Sequence, residues 1–146
     1  MTLKNDLNQS FDFWMSQGCE YEKQKQYVEA LNAYRKATEI DNKVPEAWCR
    51  LGRLLQEQLQ LDDALDAFQI ATRLRPEHAA YWNFKGIALA EIGRAAEALR
   101  AFDRAVTENP RCAGYWENIG LLLAELGYEE ESTEAYDRAE ELKMPQ

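Results

Sequence analysis

The sequence predicts an all-α solenoid built from antiparallel helix pairs, and three regularities carry that reading. Trp14, Trp48, Trp82 and Trp116 stand 34 residues apart, and each is followed four positions later by a glycine: Gly18, Gly52, Gly86 and Gly120. With repeats taken as 11–44, 45–78, 79–112 and 113–146, aromatic rings fall at the twenty-fourth position (Tyr34, Phe68, Phe102, Tyr136). Alanines fall at the twenty-seventh (Ala37, Ala71, Ala105, Ala139). A fixed period of this length marks one supersecondary unit copied in tandem.

Each repeat reads as an A helix, a turn and a B helix. The first A helix is expected over 11–24. Leu3, Leu7, Phe11 and Trp14 are spaced by four, four and three residues, so residues 1–10 read as an N-terminal extension of it. The first B helix is expected over 27–41. In the second repeat Pro45 suits the first turn of a helix over 45–58, because the proline ring presets φ and removes an N–H that a first turn leaves unpaired anyway. Leu51, Leu54 and Leu55 there, then Leu61, Ala64, Leu65, Phe68, Ala71 and Leu74 along 61–75, recur at three- and four-residue steps, a helical period and not a strand's. The third repeat gives 79–92 and 95–109, with Asn109 where the helix ends. The fourth gives 113–126, a stop at Gly127, and 129–142. Pro76 and Pro110 close the second and third repeats.

Packing follows from the same positions. The eighth and twentieth positions lie equally far from the turn, so Gly18 is expected opposite Ala30, Gly52 opposite Ala64, Gly86 opposite Ala98 and Gly120 opposite Ser132. Small residues there let the two backbones approach closely. The twenty-seventh-position alanines serve the contact with the next repeat, and the large rings fill the space between helices. Truncating one tryptophan is expected to cost about 3–5 kcal/mol.

Composition narrows the functional classes. The formal net charge is −9, distributed over the four repeats as −1, −2, +1 and −7. Nucleic acid and anionic membrane both demand a basic field, so neither is an expected partner. The start, Met1 to Ser10, is polar and unlike a signal peptide, and no stretch approaches the roughly 18 apolar residues of a membrane span. A cytoplasmic location is the default, and the initial methionine and polar fourth repeat are read as those of a complete chain. Cys19, Cys49 and Cys112 are odd in number and widely separated, which suits reduced thiols; the alternative is that Cys19 and Cys49 approach each other or a ligand. The single histidine, His78, falls in a link between repeats and has no second histidine to share a metal or a catalytic role. No catalytic residue, cofactor site or metal site is expected.

At these Trp, Gly, Ala, aromatic, Ala and Pro positions the chain resembles the tetratricopeptide repeat, a helix-turn-helix module of 34 residues, over 136 of its 146 residues. The resemblance implies a right-handed superhelical solenoid, one domain over 11–146, whose A helices line a concave groove that takes an extended peptide or a helix. Groove positions in the family are the second, fifth, sixth, ninth, twelfth and thirteenth of each repeat. Here they include Arg50 and Arg53, then Asn83, Phe84 and Ile87, then Asn118 and Leu121. Members that hold the C-terminal carboxylate of heat-shock chaperones place Lys, Asn and Arg at set positions. This chain has Met15, Cys19, Arg50, Ala80 and Phe84 in one window and Cys49, Arg53, Phe84, Gly114 and Asn118 in the other, and neither matches.

The groove residues point to a protein or peptide ligand with an apolar anchor beside an acidic residue. Phe84, Ile87 and Leu121 would receive the anchor, Arg50 and Arg53 the carboxylate, and Asn83 and Asn118 the backbone. The bland alternative is that the apolar residues pack between A helices and the arginines pair with Glu46 or Glu57. The expected role is a non-catalytic interaction scaffold or adaptor. The competing one is a self-assembling structural protein or assembly factor that oligomerises through uncapped ends, where Tyr136, Ala139 and Leu142 would be partly uncovered. The acidic last helix, with Ser132 and Thr133 in place of Ala and Leu, reads mainly as a solvated end.

Overall fold

A computed structural model describes residues 10–145. Among them are eight α-helices and no strand: α1 (Phe11–Lys23), α2 (Tyr27–Ile40), α3 (Pro45–Glu57), α4 (Leu61–Leu74), α5 (Ala79–Ile92), α6 (Ala95–Glu108), α7 (Ala113–Glu125) and α8 (Glu129–Lys143). Every expected helix is present, with each end within one residue of its expected place. Helix α1 begins at Phe11, and the Ser10 side chain caps it by accepting from the Phe13 amide at 3.1 Å. The expected extension, with Leu3 and Leu7, lies outside the described residues.

The chain divides into two compact halves, one ending at Leu74 and the other beginning at Arg75. In the N-terminal half α1 packs on α2 and α3 on α4, with α2 against α3; in the C-terminal half α5 packs on α6 and α7 on α8, with α6 against α7. Each pair buries its small residues completely at the expected places, among them Ala30 and Ala37, Ala64 and Ala71, and Ala98 and Ala105.

The tightest approach within a pair differs from the expected one. A Cβ added to Gly52 would stand 2.7 Å from Phe68 Cε1, and one on Gly86 2.6 Å from the Phe102 ring. Gly18 is held the same way against Tyr34. The glycine is therefore fixed by the ring at the twenty-fourth position rather than by the alanine at the twentieth. Tyr34, Phe68 and Phe102 are buried to 2% exposure or less and cannot yield. In the fourth repeat the same contact loosens to 3.1 Å, against a Tyr136 that is 38% exposed. There Ser132 is buried and donates its hydroxyl to the Gly120 carbonyl at 2.7 Å, so it seals the pair instead of making the end face polar. Ala139 is likewise fully buried, contrary to its expected exposure, because it faces inward within the last pair; Tyr136 and Leu142 do remain partly uncovered.

The tryptophans do more than fill space. Trp48 Nε1 donates to the Asn42 carbonyl at 2.9 Å, Trp82 Nε1 to Pro76 at 2.7 Å and Trp116 Nε1 to Pro110 at 3.1 Å. Each indole thus fastens the loop six residues before it to the A helix. Trp14 Nε1 is buried without a partner among the described residues, and the position six before it, Asn8, lies outside them. The rings are only partly buried, with Lys36 over Trp14 and both Lys85 and Arg104 over Trp82. Truncating one should therefore cost less than the 3–5 kcal/mol expected of a fully buried ring, about 2–3 kcal/mol.

Every A helix ends in one way. The fifteenth position of each repeat adopts a left-handed backbone, at Lys25 (φ 59°), Leu59 (φ 60°), Gly93 (φ 94°) and Gly127 (φ 88°). The next amide reaches back five residues, as in Gln60 N to Leu55 O at 2.9 Å and Arg94 N to Leu89 O at 2.9 Å. Only glycine takes this conformation without a Cβ penalty. Leu59 is 76% exposed, so its side chain contributes little packing in return.

Two stability outcomes follow. Gly52→Ala should lose about 1–3 kcal/mol in urea unfolding, as overpacking does, while Gly120→Ala should change stability by less than about 1 kcal/mol; equal losses would contradict the glycine–ring account. Leu59→Gly should raise stability by about 0.5–1 kcal/mol in the same assay, the gain from relieving the left-handed strain exceeding the entropy of an added glycine.

Candidate functional site

The expected binding residues lie on three A helices in two halves of the chain. On α3, Arg50 and Arg53 follow one another at a three-residue step. Arg50 Nε meets Glu46 Oε1 at 3.2 Å, one turn back on its own helix, and Arg50 Nη1 meets Glu22 Oε2 at 3.5 Å, from α1. Glu22 also accepts from the Tyr34 hydroxyl at 2.7 Å. Two carboxylates thus share one guanidinium beside a buried phenol, and burial together with the Cys19 and Glu22 hydrogen bonds pushes that phenol's pKa far up. A shallow, polar depression of about 490 Å³ lies alongside, with Met15, Cys19, Lys23 and Arg50 in its lining. An incoming carboxylate would have to displace Glu22 or Glu46 from Arg50, which removes most of what an ion pair there could add. Arg53 is exposed on the same helix.

Cys49, one residue before Arg50, is buried, and burial pushes its thiol up to about 11 against the pull of the Arg53 and Arg50 cations. Cys19 and Cys112 are half-buried, and all three thiols are free. A pKa raised that far leaves about one Cys49 in a thousand as thiolate at pH 8. Iodoacetamide at pH 8 should therefore alkylate Cys19 and Cys112 at least about tenfold faster than Cys49 in the native protein, with Cys49 catching up on unfolding. Equal native rates, read by mass spectrometry, would contradict the burial of Cys49.

The C-terminal half carries the better-formed site. Between α5 and α7 lies an open cavity of about 320 Å³, within the lower range of ligand pockets. Ile87 and Ala90 line it from α5, and Leu121 and Leu122 from α7. Phe102, one of the pair-forming rings, supplies its floor from α6. Leu121 is 53% exposed, a large aliphatic group left uncovered at the mouth. Asn118 Nδ2 donates to Asn83 Oδ1 at 2.8 Å, linking the two A helices. That bond uses one hydrogen of Asn118 and one acceptor site of Asn83, which leaves the Asn83 amide hydrogens and the Asn118 carbonyl suited to a bound backbone. Glu91 and Glu125 complete the lining, each in the last turn of its helix.

Of the residues expected in the groove, the structure brings Ile87, Asn118 and Leu121 together in this cavity and ties Asn83 to it through Asn118. Phe84 is half-buried on α5 and is not part of the lining. Arg50 and Arg53 belong to the other half. Glu91 and Glu125 stand at the thirteenth position of their repeats, a groove position by register. Among the described residues no three His, Cys, Asp or Glu side chains are grouped so as to hold a metal ion, and no helix is long and apolar enough to cross a membrane.

The sequence matches the tetratricopeptide repeat over residues 49–111 and 92–146, and a TPR repeat over 18–58. The chain belongs to the tetratricopeptide repeat family. No curated protein matches it in sequence. Among solved structures it is similar to MamA, with a TM-score of 0.90 at 22% identity over 97% of this chain and 82% of that one. It is also similar to MamA 41-end from Desulfovibrio magneticus RS-1, with a TM-score of 0.87 at 18% identity over 92% of this chain and 76% of that one. A third likeness is to YrrB, described as a TPR protein with an unusual peptide-binding site, with a TM-score of 0.82 at 25% identity over 89% of this chain and 67% of that one. The fold is thereby an all-α tetratricopeptide-repeat solenoid.

Proposed function

We propose that this protein is a non-catalytic interaction scaffold that binds a segment of a partner protein on its A-helix surface, with the cavity between α5 and α7 as the anchor site. The observation that carries the reading is the cavity itself: an apolar recess, open to solvent, with an uncovered leucine at its mouth and an amide pair on its flank. A recess of this kind supplies affinity by desolvating an apolar side chain, and the asparagines orient the chain that carries it. YrrB, a family member of similar fold, is described as having a peptide-binding site, which supports the same class of ligand here.

The expected acidic residue of the ligand has weaker support, since Arg50 is already held by Glu22 and Glu46. The anchor is therefore assigned to Ile87 and Leu121, and Arg50 is assigned to holding α1 against α3. Panning a random peptide library on the immobilised chain should enrich peptides with a recurrent aliphatic or aromatic residue. Their affinity should fall at least about tenfold on Leu121→Asp, with helicity by circular dichroism unchanged. Failure to enrich any peptide, or equal binding by the variant, would remove the proposal.

A further inference from the structure

We infer that the residues preceding Ser10 dock on α1 as an end cap for the N-terminal half, with the Asn8 carbonyl accepting the indole N–H of Trp14 and Leu3 covering Phe13. This contact is independent of the partner site proposed above. Trp14 Nε1 is buried and has no acceptor among the described residues. A buried N–H without an acceptor is rare in folded proteins, because it forfeits its bond to water and gains nothing in return. In the other three repeats the same group is satisfied, always by the carbonyl six residues earlier, that of Asn42, Pro76 or Pro110. Six residues before Trp14 stands Asn8.

The backbone at Ser10 suits that bond. Each satisfied indole follows an N-cap with extended backbone: Val44 (φ −101°, ψ 105°), His78 (φ −88°, ψ 99°) and Cys112 (φ −86°, ψ 106°). Ser10 caps α1 in the same class of conformation (φ −75°, ψ 162°). The chain therefore leaves the axis of α1 at Ser10 as it leaves the later A helices, and Leu3, Leu7, Phe11 and Trp14 do not share one continuous helix face. In each of the three loops the acceptor stands two residues before the N-cap, as Asn8 stands two before Ser10.

The surface that receives the segment is the one a preceding repeat would cover. In α3, which has α2 against it, Ala47, Leu51 and Leu55 are buried to 5% exposure or less. Their counterparts in α1 are Phe13, Gln17 and Tyr21; none is buried, and Phe13 is 36% exposed. By register Leu3 takes the place of Ala37, Ala71 and Ala105, the completely buried alanines of the B helices. Leu3 and Leu7 stand in an otherwise polar stretch that includes Lys4 and Asp6. An element with one apolar and one polar side is what the end of a repeat stack needs, since one side meets the last unit and the other meets water. Docked there, the segment occupies the face on which a second copy would have to stack.

The test follows the indole N–H groups of Trp14, Trp48, Trp82 and Trp116 separately in proton–nitrogen correlation spectra of the full chain, with the Trp14 signal assigned from Trp14→Phe. The Trp14 indole proton should exchange with solvent at least about tenfold faster in the Leu3→Asp, Leu7→Asp double variant than in the unsubstituted chain, while the other three keep their rates. Asn8→Pro gives a second readout that unfolding of a variant cannot mimic. Proline already stands at this place in two later loops, Pro76 and Pro110. A segment in the same conformation should accept it and melt about 1–4 °C higher, through the lowered entropy of the unfolded chain. A Trp14 rate that the double variant leaves unchanged, or a change in all four rates alike, would overturn the inference. So would a melting temperature that Asn8→Pro lowers or leaves in place, or a Trp14 rate that falls as protein concentration rises, the sign that a second copy supplies the cover.

Discussion

The contact between a glycine of the A helix and the ring of the B helix sixteen residues later sets the rest of the molecule. At Gly18, Gly52 and Gly86 the ring lies where a Cβ would otherwise be, so the two helices of each pair come as close as their backbones permit. That closeness buries Ala30, Ala64 and Ala98 completely and turns the larger groups of the A helix to its other faces. In the C-terminal half this has a direct consequence for the site. Phe102 is pinned under Gly86 and at the same time forms the floor of the cavity, so the recess between α5 and α7 rests on one of the most constrained rings in the chain. A site on so rigid a base has little ordering to do when a ligand arrives.

The fourth repeat departs from this rule in a consistent way. Its ring, Tyr136, is looser over Gly120, and Ser132 supplies a hydrogen bond where the other repeats rely on packing alone. The seven net negative charges of 113–146 are carried largely by α8, whose first turn holds Glu129, Glu130 and Glu131. There the acid is favourable, because a helix N-terminus attracts it. Glu125, at the opposite polarity of α7, has no such support. Residues of the same type in the same acidic repeat thus divide into those that local electrostatics explains and one that it does not.

Helix positions were fully legible from the 34-residue period, because a repeat states each packing position four times and single exceptions cannot obscure it. Glycine's true partner was not legible. Positions eight and twenty are symmetric about the turn, but side chains lean toward the helix N-terminus, which brings the ring at position twenty-four over the glycine. Nor did the pattern reveal the tryptophan N–H bonds to Asn42, Pro76 and Pro110, since a backbone acceptor leaves no mark in the sequence. In the candidate site, Ile87, Asn118 and Leu121 share one cavity as their register suggests, whereas Arg50 is engaged by two carboxylates. Glu46 is one turn away and visible from sequence, but Glu22 comes from another helix and adds an ion pair through a tertiary contact.

The central claim is that the surface between α5 and α7 meets a partner and the outer turns do not. Replacing Leu121 with a photo-crosslinking benzoylphenylalanine, and the more exposed Leu59 likewise as a control, tests it in a lysate of the source organism. The account predicts a discrete adduct from position 121 that a soluble peptide enriched by library panning competes away, and none from position 59. Adducts of similar pattern from both positions, or none from position 121, would contradict it.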